Sequence, residues 1–322
     1  MDILAYVKKN GNFPSLLMGV GTVLAGTAAA AVRGNMEILP ATVCLLYALF
    51  MQLGANYFHN YCQLSKYYDR LDGNTGLLLP DEKTARDPMT VRLLKEAATA
   101  CILISLMLGM TIMAMAEDAW WTIIVGVLLY GLNAALSLGP RPLFRTPWAV
   151  VAMFIMFGPL GVVGTALLQC QHEAKDTVWS LYDIMPALYV SVAMGFLSCN
   201  TYLIYSYRNF KFNTGINPEG ITPRFGLKTV EWMTFANGLL MFVVMCAVTV
   251  RLNFENPLVA LIPAVLGFVL NTYISLRMRH GPLAELAHLN VLTKVNYVLT
   301  AVTLFIIWWL LGTPDDSVRV LY

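Results

Sequence analysis

Charge is what this sequence has little of. Only 12% of its residues are Asp, Glu, Lys or Arg, against roughly 25% in a soluble domain. With 58% hydrophobic residues in a chain of 322, too few polar side chains remain to coat a soluble body. The net charge of +2 supplies no basic face, so no nucleic-acid partner is expected. The six cysteines show no CxxC or other metal-ligand spacing. Cys44, Cys101, Cys170, Cys199 and Cys246 lie in or beside apolar runs and read as small buried hydrophobes. Alternation is missing too, which excludes a transmembrane barrel of short strands. The first apolar run lacks a cleavage site and reads as a retained span, not a signal peptide.

What the chain does have is long apolar runs. Runs of about 20 residues match the thickness of a bilayer's hydrocarbon core. Helices follow, because lipid offers no water to open backbone groups. The expectation is an all-α polytopic membrane protein with nine spans: Pro14–Ala31, Ile38–Tyr61, Val91–Ala116, Trp120–Leu138, Trp148–Leu168, Trp179–Tyr205, Val230–Val250, Pro257–Leu276 and Leu292–Leu311. Long connections are expected over 62–90 and 206–229. A faint repeat divides the single domain 1–322 into halves of 1–147 and 148–291, with a last helix over 292–311. Asn56 and Asn200 each lead into a long loop, and Gly139-Pro140 and Gly281-Pro282 follow the fourth and eighth spans. Duplicated halves often place a site at their interface.

The loops set the orientation. With the N-terminus cytoplasmic, all of the 21 Lys and Arg but Arg33, Lys175, Arg251 and Arg319 fall on the cytoplasmic side, Lys294 among them. That asymmetry obeys the positive-inside rule and puts the C-terminus on the opposite side. An integral membrane protein of a bacterial inner membrane is the expected setting.

Polar residues inside membrane helices are costly and mark candidate sites. The densest group is Asn56, His59, Asn60, Gln63, Lys66 and Asp69, at the end of the second span. Asn56, Asn60 and Gln63 are spaced by four and three residues, so they share a helix face, and Lys66 continues it. The competing reading is an amphipathic helix end emerging into headgroups, anchored by Tyr57, Tyr61, Tyr67 and Tyr68.

The stretch from Gln52 to Asp69 resembles the first motif of the UbiA superfamily of intramembrane prenyltransferases, most closely the MenA-like branch that prenylates dihydroxynaphthoate. That branch reads N-x-x-N-D-Y-x-D-x-x-K-G-x-D. Asn56, Tyr61, Lys66 and Asp69 match it, while Asn60 and Gln63 stand where it has Asp. Pro14 with Gly26 and Thr27 is similar to its first helix, and Gly139-Pro140-Arg141-Pro142-Leu143 to its GP-x-PL loop. The second motif reads N-x-x-D-x-x-x-D-R. Here Asn200 and Arg208 match, Leu203 and Tyr207 replace the Asp residues, and Lys228-Thr229 stands for a later basic element.

The resemblance implies a nine-helix fold and a cytoplasm-facing cavity. It also implies a polyprenyl diphosphate ionised with the help of Mg²⁺ on Asp carboxylates. Asn56, Asn60, Tyr61, Gln63, Lys66, Arg141, Asn200, Arg208 and Lys228 become the candidate substrate-binding residues, and Asp69 with Asp72 a weak metal pair. Because neutral amides cannot balance a divalent ion, the expected function is a divergent protein. It binds membrane lipid, polyprenyl diphosphate or a quinone-like ligand without Mg²⁺-dependent catalysis, as a pseudoenzyme or a subunit of a membrane complex. The alternatives are an active Mg²⁺-dependent prenyltransferase of menaquinone type and a small-solute or lipid transporter. A transporter would show broken helices at midplane, whereas these polar residues gather at helix ends.

Overall fold

Pro14 opens the first helix at a position where its missing N–H costs nothing. That helix, α1 (Phe13–Ala31), is built largely of Gly, Ala, Ser and Thr, and small residues let neighbouring backbones come close in a bilayer. A Cβ on Gly21 would sit 2.7 Å from the Tyr297 ring, and one on Gly26 2.6 Å from the Val162 carbonyl oxygen. The computed structural model describes residues 12–34, 36–68, 88–116, 119–138, 142–170, 181–211, 220–282 and 285–311.

After α1 come α2 (Ile38–Tyr68), α3 (Pro88–Met115) and α4 (Ala119–Ser137). A single 3₁₀ turn, Leu143–Arg145, leads into α5, the span Ala149–Gln169. Then come α6 (Leu181–Lys211), a one-turn helix Ile221–Phe225, and α7 (Leu227–Leu252). The short Pro257–Ala260 precedes α8 (Ile262–His280), and α9 (Leu286–Leu311) closes the bundle. Among the described residues there is no strand, and nine spans are long and apolar enough to cross a membrane.

The helices form a ring in chain order. α1 packs on α2, α2 on α3, α5 on α6, α6 on α7, α7 on α8 and α8 on α9, which returns to α1. α4 touches α2, α3 and α5, and α1 also packs on α5 and α6. The expected spans are present with different ends. α2 runs on to Tyr68, α6 to Lys211, and α9 starts at Leu286. Hydropathy marks where lipid ends, whereas the backbone ladder continues into polar sequence. Part of the two expected loops is therefore helix, including Ile221–Phe225.

Two local devices fix the packing. Pro159 lies inside α5, where it cannot donate to the ladder. The helix widens to a π segment over Met156–Val163, and the Phe157 carbonyl accepts a 2.7 Å bond from the Tyr297 hydroxyl. The Tyr297 hydroxyl also lies 2.8 Å from Thr22 Oγ1, tying α9 to α1 and α5. In the second device Asn200 Nδ2 donates to Asn271 Oδ1 (2.7 Å), Asn237 Nδ2 to Asn200 Oδ1 (2.8 Å), and Asn271 Nδ2 to the Thr234 carbonyl (2.8 Å). Lipid provides no partners, so these amides satisfy one another between α6, α7 and α8.

Candidate functional site

Adjacent membrane helices run in opposite directions, so one end of the bundle collects the N-termini of odd helices and the C-termini of even ones. At that end a chamber of about 360 Å³ opens. Asn12 and Ser15 line it from the start of α1, and Asn56, His59 and Asn60 from the lower part of α2. Ser137 ends α4, Phe144 follows in the turn, and Met153 lies in the second turn of α5. α6 contributes Thr201, Tyr202, Tyr205 and Arg208, and α9 contributes Asn290 and Lys294.

Each polar group is held by the local geometry. Asn56 Nδ2 donates to Ser15 Oγ at 2.7 Å, bracing α2 against α1. His59 Nδ1 lies 3.2 Å from Ser137 Oγ, and its ring meets Phe144 edge-on at 4.9 Å. The Tyr202 hydroxyl bridges the Phe144 and Thr146 carbonyls, each at 3.0 Å, and so pins the turn after α4 against α6. The Arg208 guanidinium lies 5.7 Å from the centre of the Tyr205 ring.

Lys294 is only 8% exposed. Among the described residues neither Lys294 nor Arg208 has a hydrogen-bond or ion-pair partner, and the lining holds no carboxylate. The described wall of the chamber thus carries net positive charge.

A second chamber of about 620 Å³ adjoins the first. Its wall comes from α1 to α5 and is almost wholly apolar: Met110, Met113, Ile123, Val127 and Leu160 are typical. Gln52, Asn133, Met156 and Phe157 line both chambers and mark their junction. The π segment of α5 therefore begins at that junction. Together the chambers offer a polar, cationic head compartment and an apolar tail compartment, each of a size suited to a small molecule.

Of the sequence-predicted residues, Asn56, Asn60 and Arg208 come together in the polar chamber. Tyr61 does not line it; its ring lies beside Phe58, 6.5 Å away. Asn200 is fully buried in the amide network and lines neither chamber. Lys228 is exposed at the start of α7. The side chains of Gln63 and Lys66, and residues Asp69, Asp72 and Arg141, lie outside the described residues. Leu203 and Tyr207 are fully buried, and the Tyr207 hydroxyl donates to Glu231 Oε1 at 2.7 Å and towards the Met278 carbonyl at 2.9 Å.

Lys294 is the residue sequence reasoning missed, counted there only among cytoplasmic cations. Its signal was available: Asn290 and Lys294 sit four apart on one face near the start of an apolar helix. Gln52, Asn133 and Ser137 were missed because single amides and hydroxyls in apolar runs carry no pattern.

Mg²⁺ demands hard oxygen donors, carboxylates first. Among the described residues no group of three or more His, Cys, Asp or Glu gathers as a metal site. The described chamber wall offers amides, hydroxyls, the His59 imidazole and two cations, and this donor set does not fit Mg²⁺.

No protein-family model and no curated protein matches the sequence. Solved structures do. A UbiA homologue from Aeropyrum pernix K1, in its apo form, superposes with a TM-score of 0.60 at 15% identity, over 88% of this chain and 96% of that one. A UbiA homologue from Archaeoglobus fulgidus bound to GPP and Mg²⁺ gives 0.60 at 12% identity, over 93% and 99%. A structure of digeranylgeranylglyceryl phosphate synthase gives 0.59 at 11% identity, over 96% and 99%. The nine-helix ring of this chain is the fold of UbiA homologues.

Proposed function

We propose that this protein is a divergent UbiA-type membrane protein that binds an isoprenoid lipid or quinone and has lost Mg²⁺-diphosphate catalysis. The observation that carries the reading is the pair of joined chambers. The apolar one suits a prenyl tail and the polar one a headgroup, with Gln52, Asn133, Met156 and Phe157 between them. The solved UbiA homologues of this fold include ones bound to GPP or DMAPP with Mg²⁺. On that fold, a head compartment whose described wall has amides, hydroxyls, an imidazole and cations but no carboxylate favours binding over ionisation. The positive-inside count supports a cytoplasmic setting for the polar chamber, and the faint sequence repeat supports a place for it between two related halves. Asn56, Asn60 and Arg208 act on the headgroup, and a bound isoprenoid could serve a membrane complex of which this chain is a subunit.

A second reading is an active prenyltransferase, favoured by the GPP- and Mg²⁺-bound homologue and by the Asp69 and Asp72 of this sequence. One assay separates them. Purified protein in nanodiscs is incubated with a prenyl diphosphate, Mg²⁺ and dihydroxynaphthoate, and prenylated product is followed by chromatography. The proposal expects no product while the same preparation binds farnesol or a short menaquinone. Turnover overturns the non-catalytic reading, and absence of any isoprenoid binding overturns the proposal altogether.

A further inference from the structure

We infer that Lys294, together with Arg208, forms a metal-independent anion site that holds the phosphate or diphosphate head of the bound isoprenoid. The inference rests on the isoprenoid reading above and specifies its headgroup.

Lys294 lies more than nine-tenths buried near the start of α9, with its side chain in the polar chamber wall. An ammonium taken out of water is retained only where something repays its lost hydration. Among the described residues nothing does: Lys294 has no ion pair and no hydrogen bond, and Arg208 is the charge whose field reaches it. Two cations facing one cavity repel each other, and an anion between them removes that cost. Nearby, Asn290 Oδ1 is buried without a partner among the described residues, a further group left for a ligand. Asn56, His59 and Asn60 supply polar walls on the opposite side.

The geometry also replaces what the metal would do. Mg²⁺ neutralises a diphosphate when carboxylates hold the ion against it. Here Asn60 stands where the resembled motif has Asp, so the described part of that wall brings no negative charge, and the positive charge comes instead from Lys294 and Arg208. A lysine ammonium binds phosphate as a point charge and an arginine guanidinium as a fork. The pair balances two negative charges with no ion to recruit. Because the chamber joins the apolar one, the anion is the head of a lipid and not free phosphate.

The test measures binding to the full-length protein in nanodiscs by isothermal titration calorimetry, with farnesyl diphosphate, farnesol and inorganic diphosphate as probes, each in EDTA and in Mg²⁺. The inference expects farnesyl diphosphate to bind with affinities that agree within about twofold in the two buffers, well above inorganic diphosphate. Lys294→Gln should weaken farnesyl diphosphate by about tenfold or more and leave farnesol unchanged, while Lys294→Arg should retain most of the affinity. If Lys294→Gln does not fold, Arg208→Gln carries the same expectation. Binding abolished by EDTA, or an unchanged affinity in Lys294→Gln and Arg208→Gln, overturns the inference while farnesol binding leaves the isoprenoid reading standing. Inorganic diphosphate bound as tightly as farnesyl diphosphate overturns the lipid as the source of the anion. Failure of both farnesol and farnesyl diphosphate to bind overturns the parent reading with it.

Discussion

Asn200 Nδ2 donates to Asn271 Oδ1 across 2.7 Å, joining α6 to α8 in the middle of the bundle. Both residues are fully buried, and Asn237 Nδ2 and the Thr234 carbonyl complete the network. A buried amide that loses its partner keeps its desolvation cost. Asn271→Ala should therefore lower stability by about 1–3 kcal/mol, read from chemical unfolding in detergent. A double-mutant cycle with Asn200→Ala should show coupling of at least about 0.5 kcal/mol. Ligand affinity measured in the folded fraction should stay unchanged, because neither residue lines a chamber.

The approach of α1 to α5 makes a second prediction. A Cβ on Gly26 would lie 2.6 Å from the Val162 carbonyl oxygen and 2.7 Å from Thr165 Cβ. Neither is the far end of a flexible chain, so the helices must separate. Gly26→Ala should cost about 1–3 kcal/mol, whereas the same change at an open helical position costs nothing and can stabilise by up to about 1 kcal/mol through helix propensity. Gly126→Ala is that control, since a Cβ there meets nothing within 4 Å. A thermal melt of the two variants side by side decides it.

That open space at Gly126 serves a functional test as well. Gly126 lines the apolar chamber. Gly126→Phe should add a ring to the tail compartment, from a position where its Cβ meets nothing within 4 Å. Geranylgeranyl ligands should lose about tenfold in affinity, while dimethylallyl ligands, with tails too short to reach, should bind as before. Equal loss for both would place the tail elsewhere.

Asn60 tests the electrostatics. Asn60→Asp puts a carboxylate into a chamber whose described wall has none. Farnesyl diphosphate binding in EDTA should fall by about tenfold, since like charges now face each other. Mg²⁺ should restore much of it by bridging the new carboxylate and the diphosphate. Calorimetry with and without Mg²⁺ reads both effects, and an affinity indifferent to the substitution would remove Asn60 from the headgroup site.

The fold was largely legible in the sequence because a bilayer imposes few solutions. Nine apolar runs, each near the required length, leave helices as the only spanning structure. The ends were less legible: α2 and α6 continue for several residues into polar sequence, where hydropathy falls silent but backbone bonding does not. The candidate site was half legible. Asn56 and Asn60 announce themselves by spacing on one face. Lys294 shares a face with Asn290 in the same way, but its burial depends on α6 and α9 meeting across the ring, which no local spacing encodes. Asn200 resembles a motif residue, yet its amide is spent on Asn271 and Asn237, and no one-dimensional pattern distinguishes an amide that faces a ligand from one that knots three helices.

The central claim is that head and tail compartments receive one isoprenoid, and photo-crosslinking in nanodiscs tests it most directly. A farnesyl diphosphate analogue carrying a diazirine at the tail end should label peptides of α3 and α4 around Met110, Met113 and Val127, and unlabelled farnesyl diphosphate should compete the label away. Label confined to lipid-facing residues such as Trp309, uncompeted by excess ligand, would contradict the account.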